Sequence, residues 1–319
     1  MRGFFVNEFI MHRHPANPII KPEDFPVPAD SVMNCGQSIY NGKIVLLIAV
    51  IYRGKLNGER TGIHVAMSED GINFDIDPKP LCSSRNWCKN NNINYDSWVI
   101  DPRLTKIDNE YYICRPGQGA VGPAGLLEKT TDFKTTEFIG CIALPPNRVP
   151  CLFPEKINGK YAKLDRPFFG EGKIRGEIWI SYSKDLVYWG EYEPLMLPGD
   201  EPYYIGKIGP TVPAKTKDGW LVLFHGTWDS CSDTRYSVGA MLLDLDEPTK
   251  IIGRTSSWIL TPQADYELKG HVSNVCFPCG CLVNEEKDEI KIYYGAADEY
   301  VCLAEGSLKE LIDACKNKL

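Results

Sequence analysis

The amino-acid sequence predicts an all-β fold, a five-bladed β-propeller with a short C-terminal helix. Three observations predict it. Helical periodicity is confined to the end of the chain, one hairpin pattern recurs five times, and a second pattern follows most copies of the first.

The first pattern is an apolar strand, a tight turn and a second strand with a polar end. Its copies are SIYNGKIVLLIAVIYR, LTKIDNEYYICR, PEKINGKYAKLDR, PAKTKDGWLVLFHG and CLVNEEKDEIKIYYG. Their turns begin at Asn41, Asp108, Asn158, Asp218 and Lys287, at intervals of 67, 50, 60 and 69 residues. Asn-Gly and Asp-Gly dipeptides between β-rich runs are hairpin signals, because these residues tolerate the positive φ of a two-residue turn. The second pattern is a strand, an acidic turn and an aromatic: IHVAMSEDGINF, LLEKTTDFKTTEF, IWISYSKDLVYW and, more loosely, VGAMLLDLDEP. Two hairpins per unit, repeated every 50 to 70 residues, are the signature of four-stranded blades. Such a ring is one unit over 1–319, with an N-terminal arm at 1–30, although the length alone suggests two domains. A β-sandwich would need the ordered copies to be coincidence. The helix is expected at about 307–318, where Leu308, Leu311, Ile312 and Ala314 recur at helical spacing.

Composition narrows the function. The formal net charge of −7 argues against nucleic acid as a partner, since phosphate backbones need a basic face. A small anionic substrate needs only a local cationic pocket. No secretory leader or membrane-spanning run is evident, so a cytoplasmic protein is expected. The twelve cysteines then read as reduced thiols. Cys276-Phe-Pro-Cys279 has a metal-site spacing but lacks a second ligand pair, so strand packing is its expected role, and no metal or cofactor is expected.

In a propeller the first strand of each blade lines the central channel. The residues before each hairpin include Asn34, Asp101, Arg103, Asn147, Arg148, Lys207 and Asn274, and the second strands end in Arg53, Arg115, Arg166, His225 and Tyr294. One carboxylate and several cations therefore converge on one funnel, a constellation suited to an oxyanion ligand. Asp-Pro often only starts a turn. Here Trp98-Val99-Ile100 and Leu104 place Asp101 on a strand among apolar neighbours, surroundings suited to a proton-donating carboxyl. Trp87, Trp98, Tyr203, Tyr204 and Trp228 fall in loops near the expected mouth, where rings could stack on sugars or simply pack.

These residues sit in motifs that span nearly the whole chain. They are Asn17-Pro-Ile-Ile-Lys21, Asp101-Pro-Arg103, Asn147-Arg148, Leu152-Phe-Pro-Glu-Lys156, Asp165-Arg-Pro167, Asp218-Gly-Trp-Leu221, His225-Gly226, Pro248-Thr-Lys-Ile-Ile-Gly-Arg254 and Tyr293-Tyr-Gly-Ala-Ala-Asp298. Together they resemble glycoside hydrolase family 130, the mannoside phosphorylases and related β-mannosidases. The resemblance implies a five-bladed propeller with Asp101 as general acid. It implies a phosphate site of Arg148, Arg166, Lys207 and His225, with Arg60 a further cation. It places Asn34, Arg53 and Asp298 around the mannosyl ring, with Arg103 and Tyr294 as further substrate-binding positions. The chain departs from the family pattern at Val149, where many members have aspartate, and at Asp165, where many have histidine. The interval from Lys207 to His225 also departs.

A phosphorylase needs one acid and a cationic pocket, because phosphate is itself the nucleophile, whereas a glycosidase uses two carboxylates. The sequence supplies the first set. The expected reaction is inverting phosphorolysis of a β-mannoside to α-D-mannose 1-phosphate, the resemblance routing the proton through the sugar 3-hydroxyl. The first family motif at Asn17 favours β-1,2-mannobiose or short β-1,2-oligomannans, ahead of β-1,4-mannosyl substrates and of hydrolysis within the same family. A non-catalytic sugar-binding propeller is the reading from another class. The expected partners are the mannoside and phosphate, without nucleic acid or membrane; a homodimer is compatible with this reading.

Overall fold

The computed structural model describes residues 10–85, 96–119, 122–168, 176–198, 206–229 and 233–316. Five antiparallel sheets form the blades of a propeller. Blade 1 comprises Ala29–Tyr40, Lys43–Leu56, Glu59–Ser68 and Asp75–Ile76. Blade 2 comprises Arg103–Ile107, Glu110–Gly119, Gly122–Thr130 and Glu137–Ala143. Blade 3 comprises Asn147–Leu152, Tyr161–Pro167, Ile178–Ser183 and Trp189–Met196. Blade 4 has a divided inner strand, Ile208–Pro210 and Ala214–Thr216, followed by Gly219–Asp229, Thr234–Leu243 and Ile251–Arg254. Blade 5 likewise starts with Cys276–Pro278 and Leu282–Asn284, continues through Glu289–Ala296 and Tyr300–Gly306, and takes His12–Arg13 as its outermost strand. The N-terminal arm thus supplies the strand that blade 5 lacks in sequence order, and the ring closes.

The hairpin turns fall where the sequence puts them. Asn41 and Gly42 both have positive φ (49° and 79°), as do Asn158 and Gly159 (50° and 79°). This is the twist that a two-residue hairpin turn requires.

The second strands explain the long apolar runs. In Lys43–Leu56, Val45 and Leu47 pack toward blade 2, while Leu46, Ile48 and Val50 pack toward blade 5. In Gly219–Asp229, Trp220, Val222 and Phe224 face blade 3, and Leu221 and Leu223 face blade 5. A strand covered on both faces shows no polar alternation. One apolar cluster lies between each pair of neighbouring blades, blade 5 and blade 1 included. Each fully buried Leu or Ile in these contacts contributes about 1.5–3 kcal/mol.

The C-terminal helix is Leu308–Lys316 and buries Leu308, Leu311, Ile312 and Cys315 against the cluster between blades 4 and 5. Cys315, rather than the expected Ala314, completes its apolar face. A second, four-residue helix, Asp265–Leu268, interrupts the connection from blade 4 to blade 5. Among the described residues no helix is long and apolar enough to cross a membrane. The described cysteines are free thiols. Cys276 packs between blades 4 and 5 and Cys279 beside Phe277, and burial raises the pKa of both thiols.

Candidate active site

The inner strands all start at the same end of the ring, and there they enclose a cavity of about 310 Å³. Asn34 and Asp101 enter it from blades 1 and 2, Arg148 and Arg166 from blade 3, Lys207 and Tyr236 from blade 4, and Phe277 and Asp298 from blade 5. Trp98, His271 and Val272 complete part of its wall. A larger depression of about 520 Å³ opens at the other end of the channel. Its charged side chains are Lys106, Lys215, held by Glu155, and Glu289 and Lys291, which pair with each other, Lys291 also with Glu305.

Backbone geometry aims the acidic side. Asn34, Asp101 and Asp298 all adopt left-handed φ (43°, 50° and 49°). Asn34 lies in a bulge, where the pairing of blade 1 shifts between Met33 and Gly36. Bulges near active sites redirect side chains in this way. Asn34 Nδ2 donates to Asp101 Oδ1 at 2.8 Å, and Asp298 lines the same cavity. Gly295 leaves the room for Asn34: a Cβ there would collide with Asn34 Oδ1. Burial, and then the facing Asp101, push the Asp298 carboxyl up to about 7, against the pull of Asn34, Lys207 and Arg148.

The basic side is built around Arg166, which is buried yet forms no ion pair with a described carboxylate. Its Nη1 donates to His225 Nε2 at 2.7 Å, and its guanidinium lies 4.7 Å from the ring centroid of Phe168. Burial, reinforced by Arg148 and Arg103, lowers its pKa to about 9. His225 is held well below its ordinary value by burial and by Arg166, Arg103 and Lys207, so it is a neutral imidazole that accepts from Arg166. Two glycines shape the slot. A Cβ on Gly176 would sit 2.8 Å from Arg166 Cδ, and one on Gly209 would collide with the His225 ring. Lys207 Nζ stands 4.9 Å from the ring centroid of Tyr236, and Arg148 Nη2 donates to Gln118 Oε1 at 3.1 Å.

The structure therefore brings together Asn34, Asp101, Arg148, Arg166, Lys207 and Asp298, with His225 directly behind Arg166. Arg103 lies beneath them, fully buried, donating to the Asp101 carbonyl at 2.8 Å. Three expected substrate or phosphate residues lie elsewhere. Arg53 is exposed and pairs with Asp30 at 2.9 Å, and Arg60 is also exposed. Tyr294 shares its strand face with Ile292 and Ala296, so it packs toward blade 4 and donates to Glu267 at 2.7 Å. Arg115 does not join the cations either: it is buried between Asp96 (2.7 Å) and Glu128 (2.8 Å). Asn274 is bound to Asp233 at the surface. Trp98 lines the cavity and Trp228 does not; Trp87, Tyr203 and Tyr204 lie outside the described residues. Asp165, at a departure from the family pattern, pairs with Lys163. Sequence reasoning missed Tyr236, His271 and Phe277, which lie outside the hairpin pattern that singled out the others.

Chemically the cavity offers two facing carboxyl groups together with a cluster of strong donors. Known proteins similar to this chain are mannoside phosphorylases. A family model described as beta-1,4-mannooligosaccharide phosphorylase matches residues 11–317. The chain is 34% identical over 313 residues to a beta-1,4-mannooligosaccharide phosphorylase of Ruminococcus albus, covering 97% of this chain and 91% of that protein. It is 38% identical over 255 residues to a beta-1,2-mannobiose phosphorylase of Listeria innocua, covering 78% of this chain and 67% of the relative. The structure of the beta-1,2-mannobiose phosphorylase from Listeria innocua in complex with beta-1,2-mannobiose superposes with a TM-score of 0.83 at 30% identity, over 97% of this chain and 99% of that one.

Proposed function

Because the chain belongs to glycoside hydrolase family 130, we propose that it is a β-mannoside phosphorylase whose donor is a β-1,2-linked mannobiose or short oligomannan. The observation that carries this reading is the placement of Arg148, Arg166 and Lys207 in one cavity with Asp101. Guanidinium groups bind phosphate through paired, charge-assisted bonds. Phosphate held there beneath the anomeric carbon attacks as Asp101 delivers a proton toward the leaving oxygen. Holding the two reactants together makes the attack effectively intramolecular, and the cations stabilise the crowded charge. The products are α-D-mannose 1-phosphate and the shortened acceptor. The reaction so drawn calls on no metal or cofactor.

Hydrolysis fits less well. An inverting hydrolase uses its second carboxyl group as a base that activates a water. Here the second carboxyl, Asp298, shares the cavity with Arg148, Arg166 and Lys207, groups suited to holding an anionic nucleophile rather than a water. The β-1,2 linkage draws its support from the Listeria relative and its complex; the Ruminococcus relative keeps β-1,4-mannosides as the second reading. Release of mannose 1-phosphate from β-1,2-mannobiose that requires phosphate supports the proposal. Equal turnover in phosphate-free buffer would overturn it. Linkage analysis of products made from mannose 1-phosphate and mannose separates the β-1,2 from the β-1,4 reading.

A further inference from the structure

The inference here rests on the cavity being a phosphate and mannoside site, and concerns where the proton for the reaction comes from. Asp101 and Asp298 enter one cavity from blades 2 and 5 and face each other there, beside Asn34 of blade 1, whose amide donates to Asp101. The other groups acting on Asp298 include Arg148 from blade 3, Lys207 and Tyr236 from blade 4 and the Cys279 thiol of blade 5. Ser31 Oγ donates to the Asp298 backbone carbonyl and fixes the turn that presents the carboxyl. The cations that offset the carboxyl pair are therefore the same ones that a phosphate would engage.

We propose that anion binding loads the carboxyl pair with a proton: a dianion at Arg148, Arg166 and Lys207 takes over the positive charge that Asp101 and Asp298 otherwise face, and the pair takes up a proton in exchange. Two carboxylates that face each other in one cavity repel, and a proton between them relieves that repulsion. Asp298 is then a positioning residue for that proton, and Asp101 is the group that delivers it. The step balances. A phosphate oxygen forms the bond to the anomeric carbon, the bond to the leaving oxygen breaks, and that oxygen receives the proton from Asp101. Asp101 is left as carboxylate, and the phosphate dianion becomes a singly charged, protonated ester. The free protein has the balance point for such uptake, since the competing influences leave Asp298 close to neutral pH.

Linkage makes the effect reciprocal: if the anion draws a proton in, raising the pH must weaken the anion. Sulfate is the probe, because it keeps its double charge across neutral pH while phosphate titrates there itself. Sulfate binding is followed by isothermal titration calorimetry near neutral pH in two buffers of different ionisation enthalpy. The wild-type protein is expected to take up as much as one proton per sulfate, and its affinity to fall by up to about tenfold per pH unit above neutrality. Asp298→Asn, with its fold checked by circular dichroism, is expected to bind sulfate without that uptake and with a flat pH dependence. Sulfate binding without proton uptake in the wild type overturns the coupling while leaving the phosphate reading intact. Uptake that survives in Asp298→Asn but disappears in His225→Asn assigns the proton to the imidazole and also overturns it. A wild-type protein that binds neither sulfate nor phosphate overturns the functional reading as well.

Discussion

Arg13 offers a test of how the ring is held closed. Its strand in blade 5 has only two residues, His12–Arg13, so backbone pairing contributes little. The side chain does more. Arg13 Nε and Nη2 each reach a carboxylate oxygen of Glu267 at 2.8 Å, and Nη2 also donates to the Thr261 carbonyl at 2.6 Å. Glu267 is fully buried and accepts from Tyr294 Oη (2.7 Å) and from the backbone N–H groups of Gln263 (2.8 Å) and Ala264 (3.0 Å). Arg13→Ala leaves that carboxylate buried without its cation. Removing one partner of a buried pair costs about 3–5 kcal/mol. Three donors remain to Glu267, so a loss near the lower end, about 3 kcal/mol, is expected. That is a large part of the ~5–15 kcal/mol that holds a domain folded. Burial would raise the Glu267 carboxyl, but Arg13 and Gln263 outweigh it and hold it below its ordinary value. A lowered folded pKa contributes stability above the unfolded value of about 4.3, lost as pH falls through the folded value. Removing Arg13 should therefore shift acid unfolding to higher pH. Urea unfolding of Arg13→Ala, of Glu267→Gln and of the double variant measures this. The double variant should be more stable than Arg13→Ala alone, because the stranded charge is gone. A loss below about 0.5 kcal/mol in Arg13→Ala, the range of ordinary surface changes, would refute the argument.

Asp101→Asn should lower kcat by about 10²–10⁴-fold while phosphate still protects the protein from thermal unfolding, checked by steady-state rates and a thermal shift. Gly209→Ala should raise the KM for phosphate by about 10- to 100-fold, since its Cβ drives His225 out of line with Arg166 and a charged hydrogen bond of about 1.5–3 kcal/mol is lost. An unchanged KM would remove His225 from any role in orienting Arg166. Phosphate at about a hundred times its Kd should stabilise the wild-type protein by about 2.7 kcal/mol, read as a rise in Tm that Arg166→Met abolishes.

The fold was legible because its signals are local. Asn41-Gly42 and Asn158-Gly159 adopt the positive φ values their chemistry favours, and the run from Val45 to Val50 has no alternation because both faces are covered. Ring closure was not legible. Arg13 and Glu267 lie 254 residues apart, and neither belongs to the repeated pattern. The convergence on one cavity was legible where a residue combined a blade position with a polar side chain, as Asp101, Arg148 and Arg166 do. The same rule failed for Arg115, at a position like that of Arg166. Asp96, which precedes blade 2, and Glu128 on the next strand capture its guanidinium, and nothing in the repeat foretells that. Tyr294 failed through strand parity: as a neighbour of Tyr293 it must face the opposite side, and that side is the interface with blade 4.

The placement of Asp101 and Arg148 follows from one device used four times. Asn34, Asp101, Val149 and Asn274 each stand two residues before the point where regular pairing of an inner strand begins or resumes, at Gly36, Arg103, Cys151 and Cys276. All four have left-handed φ. In blades 1 and 2 the residue at that position is polar and turns into the cavity, and in blade 5 it is Asn274, which is bound to Asp233. In blade 3 it is Val149, a β-branched residue for which φ of 57° is costly. Val149 instead packs against Val275, Phe277 and Cys279 across the channel, and its neighbour Arg148 becomes the residue that reaches the cavity. The strain is held by that packing: relaxing Val149 to an extended conformation would break the contact with blade 5 and swing Arg148 away. An apolar residue at this position of blade 3 therefore keeps a third carboxylate away from Arg148, Arg166 and Lys207, while blades 1 and 2 use the same bend to pair Asn34 with Asp101. The propeller supplies a repeated bend, and the residue type at the bends of blades 1 to 3 decides whether the blade turns a carboxyl, an amide or a guanidinium into the cavity.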